Sequence, residues 1–96
     1  MTAENLQEER ALGLALLAGY RHYVSERYPI TAIDPHSVFS ELVDAASPAH
    51  DEPIHRVFGR LGYVQGILRA RGIFQTHDFD IHFSRGEVLP PMSEHP

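Results

Sequence analysis

The sequence contains no cysteine. That excludes disulfide bonds, thiolate nucleophiles and every zinc site built on cysteine. There is no lysine either: all eight basic residues are arginine. Guanidinium groups suit planar pairing with carboxylates or phosphates. The codon bias of a GC-rich genome would give the same composition. No apolar run reaches transmembrane length. The first ten residues, MTAENLQEER, are acidic, where a secretory signal is basic and then apolar. These absences point to a cytoplasmic protein. Internal repeats, low-complexity tracts and a G-x-S-x-G nucleophile elbow are missing as well. With no catalytic or cofactor motif in view, the expectation is a protein that is not an enzyme and needs no cofactor.

What is present argues for a folded chain. Ninety-six residues correspond to one domain, 1–96, and 43% hydrophobic with 22% charged residues is a globular composition. A domain this small buries a modest fraction of its surface, so oligomerisation is expected. The net charge of −5 is unevenly distributed. Residues 34–52 hold five acids and no arginine, whereas 55–71 hold four arginines and no acid.

The segment 53–72, PIHRVFGRLGYVQGILRARG, reads as one long helix over 53–71. Asp51 or Glu52 can cap it, and Pro53 is tolerated in a first turn. Arg69 and Arg71 followed by Gly72 form a cationic last turn and a residue free to go left-handed. At about 100° per residue, Ile54, Val57, Phe58, Leu61, Val64 and Leu68 share one face, a core stripe. His55, Gly59, Gly62, Gly66 and Ala70 share a second. Each helical glycine costs roughly 0.5–1 kcal/mol relative to alanine. Close approach of another backbone would offset that cost, so Gly59, Gly62, Gly66 and Ala70 are candidate self-association residues. Arg56, Arg60 and Arg71 mark a third face, with Tyr63 at its edge.

The remaining elements follow in order. Residues 3–28 form a first helix with a broad apolar arc of Leu6, Leu12, Leu16, Leu17, Tyr20, Tyr23 and Val24. Thr2 can cap its start and Tyr28-Pro29 ends it. Asp34-Pro35 opens a second helix over 35–46, with Val38, Phe39, Leu42, Val43 and Ala46 on one side. After Gly72 the period changes to two: Phe79, Ile81 and Phe83 alternate with Asp78, Asp80 and His82. This predicts a strand that returns through Ser84-Arg85-Gly86, giving a β-hairpin over about 74–89. Residues 90–96 form a frayed tail. The expected class is therefore α+β, mainly α, with three helices and a C-terminal hairpin.

Four functions can be drawn from these pieces. Asp78, Asp80 and His82 on one strand face would make a small metal-dependent enzyme, although the spacing matches no known ligand signature. The His77-Asp78 pair lacks the further ligands that metal-dependent phosphohydrolases require. A winged-helix-like DNA-binding regulator would read DNA with helix 53–71, use Arg56, Arg60 and Arg71 on phosphates or guanines, and carry its wing at Ser84–Gly86. The acidic neighbouring segment opposes that use. The favoured expectation is a small acidic protein-binding module, an adaptor, inhibitor or immunity-type protein that acts as a homodimer by occupying a partner surface. Its partner-binding residues would be Arg56, Arg60, Tyr63 and Arg71, with Asp44, Asp51 and Glu52 facing a basic partner.

Overall fold

The structure is a computed structural model that describes residues 3–27 and 38–91, apart from the side chains of residues 3, 4, 38 and 39. The described residues form four helices and no strand: α1 (Ala3–Arg27), α2 (Val38–Ala45), α3 (Ile54–Ala70) and α4 (Thr76–Arg85). The expected cap at Thr2, break at Tyr28-Pro29 and helix start at Asp34-Pro35 lie outside the described residues. So do the side chains of Val38 and Phe39, and positions 92–96 of the expected tail.

The core stripe of α3 is where its periodicity places it. Val57, Leu61, Val64 and Leu68 are buried, while Ile54 and Phe58 are half-buried. They meet Leu16, Leu17, Tyr20 and Val24 of α1, Leu42 of α2, and Ala46, Phe74 and Phe79 in one apolar cluster. The longest helix therefore lies against α3, and α2 lies against both.

The ends of α3 divide between expectation and correction. At the C-terminus Gly72 has φ +73°, Gly72 N–H donates to Arg69 O at 3.0 Å, and Ile73 N–H donates to Leu68 O at 2.9 Å. This pair of bonds is a Schellman motif, and only glycine adopts the required φ without strain. At the N-terminus neither Asp51 nor Glu52 caps the helix. Pro53 is itself the residue before the first turn, with extended φ −67° and ψ 155° and no side-chain cap.

The hairpin over 74–89 is not formed, because 76–85 is α4. The segment THDFDIHFSR satisfies two periods. Its buried residues are Asp78, Phe79 and His82, spaced i, i+1, i+4 as on a helix. Two of these three are polar, and the alternation suggested solvent for both. Each instead has a partner inside the fold. The Asp78 carboxylate accepts the Gln75 backbone N–H at 2.8 Å, an N-terminal capping contact, and His82 is bonded on both ring nitrogens. Gly86, with φ +70°, ends α4. The protein is thus mainly helical, with its C-terminal segment 86–91 laid back over α1.

Candidate binding surface

The structure separates two kinds of glycine. Gly13 and Gly19 on α1 are small because neighbours leave no room. A Cβ at Gly13 would sit 2.9 Å from Val57 Cγ1, and one at Gly19 would sit 2.6 Å from Val88 Cγ2. These are the close approaches that let α3 and the C-terminal segment press on α1. Gly59, Gly62 and Gly66 are the opposite case. All three are exposed, and no described atom lies within 4 Å of where a Cβ would be. Ala70 and His55 on the same face are exposed too. The glycine face of α3 therefore points directly away from the core. No described element of the chain crosses it.

Tyr63 stands beside this face and is 51% exposed. Its hydroxyl donates to Glu41 Oε2 of α2 at 3.3 Å. The Glu41 charge raises the phenol above its ordinary range, with smaller contributions from burial and the hydrogen bond itself. The aromatic ring is thus steered by α2 while remaining available for contact.

The arginines divide by role. Arg56 and Arg71 are exposed. Arg60 is engaged within the chain. Its Nε donates to both carboxylate oxygens of Glu52, at 2.8 and 2.9 Å, and its Nη1 donates to the carbonyls of Asp44 and Ala45. Glu52 also accepts the Ala49 N–H at 3.1 Å, and its side chain is nearly covered. The Arg60 hydrogen bond is the main reason its carboxyl is held below the ordinary range; burial opposes the shift. From the other side, Arg10 donates to the carbonyls of His50 and Glu52, and Arg21 to Ser47 Oγ. Three arginines therefore clamp the loop between α2 and α3. This is the use of guanidinium forks that an all-arginine chain permits. Of the expected acidic contact residues, Asp44 and Asp51 are exposed and Glu52 is not. Asp51 borders an open cleft of about 420 Å³ with Leu6, Arg10 and Ile54.

The metal reading does not fit this arrangement. Asp78 and His82 face the interior from α4, whereas Asp80 is exposed. Among the described residues, no group of three histidine or acidic side chains is placed to hold a metal ion. Nor is there a wing, since Ser84–Gly86 close α4.

Sequence reasoning missed the polar centre of the fold. Tyr20, Gln65 and His82 come from three helices and form a hydrogen-bonded row. Gln65 Nε2 donates to Tyr20 Oη at 3.1 Å, and Tyr20 Oη lies 2.8 Å from His82 Nδ1. The His82 Nε2 lies 2.9 Å from the Leu89 carbonyl, which can only accept. The neutral ring therefore carries its proton on Nε2, and the tyrosine hydroxyl donates to Nδ1. Burial pushes the Tyr20 phenol up to about 12 and His82 below its ordinary value. The spacing of Asp78 and His82, one helical turn apart and with a capping residue before them, was the available signal.

The chain matches no family model, no curated protein and no solved structure. No helix among the described residues is long and apolar enough to cross a membrane.

Proposed function

We propose that this chain is a non-enzymatic protein-binding module that assembles as a homodimer through the outer face of α3. One observation carries the reading: Gly59, Gly62 and Gly66 line the face opposite the core, and nothing among the described residues requires them to be small. Each glycine weakens α3 by roughly 0.5–1 kcal/mol relative to alanine. A second helix seated on this face would offset that loss, because glycine lets two backbones approach more closely than any residue with a side chain. Tyr63 borders the same face and supplies the kind of aromatic anchor that interfaces favour. A second copy of α3 presents a matching small-residue strip, which a two-fold interface uses on both sides.

The dimer then leaves Asp44 and Asp51 exposed for a partner with a basic surface. Glu52 takes no part in that contact because Arg60 holds it. The two buried titratable pairs described above, Glu52 with Arg60 and His82 with Tyr20, have their bonds within the fold, which supports a structural role for them. Dilution tests the assembly directly. Amide hydrogen exchange at Gly59, Gly62, Gly66 and Ala70 should accelerate as the protein is diluted from a concentration where the dimer dominates, while Leu61, Val64 and Leu68 of α3 and the buried residues of α1 keep their protection. Exchange at those four positions that is independent of concentration would rule the interface out.

A further inference from the structure

Among the contacts that dock the C-terminal segment 86–91, one is to a titratable side chain. Val88 sits against Gly19, and Pro91 is buried. The Leu89 carbonyl is bonded to His82 Nε2 at 2.9 Å. The segment leaves α4 at Gly86, whose φ of +70° ends the helix. His82 itself is 1% exposed and packs among Tyr20, Phe74 and Phe79.

The hydrogen-bond row has a direction: Gln65 N–H to Tyr20 O, Tyr20 O–H to His82 Nδ1, His82 Nε2–H to Leu89 O. With the Gln65 amide donating, every member is satisfied while His82 is neutral. A second proton on Nδ1 would set two donors, N–H and O–H, against each other in a buried site. The Tyr20 hydroxyl keeps its own proton throughout, since its pKa is pushed up to about 12. It would have to turn away and find another acceptor.

We propose that His82 is a protonation-operated latch on segment 86–91, so that mild acid releases the segment from α1 and uncovers the groove at Gly19. Release lets water reach the imidazolium and frees the Tyr20 hydroxyl to reorient. Among the described residues, the groups beside His82 are Tyr20 from α1, Asp78 one turn earlier on α4 and the Leu89 carbonyl from the segment itself, with uncharged Gln65 of α3 on the far side of the Tyr20 hydroxyl. The Asp78 charge and the Leu89 contact favour the cation, whereas burial opposes it more strongly and sets the net direction downward. The docked ring thus holds its proton more weakly than the released ring, whose value is near the ordinary 6.5. Docking is at full strength above about 6.5 and weakens as the pH falls from there toward the lowered value. Between those limits the ratio of released to docked segment rises by up to about tenfold per pH unit.

The test is a nuclear magnetic resonance titration of the full chain from about pH 7.5 to about pH 5, the range in which histidine changes charge. It follows the His82 ring nitrogens together with the Val88 and Leu89 signals. The expected result is that Val88 and Leu89 move to unstructured shifts with the midpoint of the His82 ring, while core signals of α1 and α3 stay in place. His82→Gln keeps one donor and one acceptor but cannot titrate, so its segment should stay docked across the range. Val88→Ala leaves His82 untouched and loosens docking, so its midpoint should move up toward about 6.5. A segment that stays docked through full titration of His82 overturns the proposal. So does release in which Val88, Leu89 and the core signals are lost together, or a Val88→Ala midpoint equal to that of the parent.

Discussion

At the residue scale, three polar side chains decide how this small core is assembled. Tyr20, Gln65 and His82 are carried by different helices, yet each fills a hydrogen-bonding vacancy in another. Removing one member should therefore cost more than the bond itself, because buried partners are left unsatisfied. Tyr20→Phe strands the Gln65 amide and the His82 Nδ1, and the expected loss is about 1–3 kcal/mol by urea unfolding. Glu52 is the second decisive residue. Its carboxyl is held below the ordinary 4.5 chiefly by Arg60. Its contribution is present above about 4.5, the unfolded value, and is lost as the pH falls through the lower folded value. The melting temperature of the parent should fall with acid in that window. Glu52→Gln should start lower and show a shallower fall. An unchanged acid profile in that variant would contradict the assigned clamp.

At the scale of elements, the two glycine classes make opposite predictions. Gly19→Ala forces Val88 off α1 and should destabilise by about 1–3 kcal/mol, as overpacking does. Gly62→Ala meets open space and should make the isolated chain more stable by roughly 0.5–1 kcal/mol through helix propensity alone. Urea unfolding at high dilution, where self-association is absent, separates the two signs. The same contrast explains what the sequence could reveal. The stripe Val57, Leu61, Val64, Leu68 and the stop at Gly72 depend on local rules, and both were legible. The reading of 77–83 as a strand fails because alternation assigns Asp78 and His82 to solvent on polarity. Their partners, the Gln75 backbone, Tyr20 and Leu89, are fixed by capping geometry and tertiary packing, which alternation does not encode. The close approaches at Gly13 and Gly19 were equally hidden, since both depend on what lies across from α1.

For the whole molecule, the arrangement is a helical core with one face left over. α3 is wrapped by α1 and α2 on its apolar side, and the loop leading into it is clamped by Arg10, Arg21 and Arg60. That clamping accounts for part of the arginine bias and keeps the acidic segment beside the basic helix. Of the charges expected to meet a partner, Asp44, Asp51, Arg56 and Arg71 are exposed, whereas Glu52 is covered. The outer face of α3 has no occupant among the described residues, and the proposed dimer gives it one. The most direct test is the mass in solution, by sedimentation equilibrium, of the parent and of Gly62→Leu. The account predicts a parent at twice the 10.8 kDa chain mass and a folded variant at the single-chain mass. A parent that remains at the single-chain mass across the concentration range, or a variant that dimerises as the parent does, would contradict it.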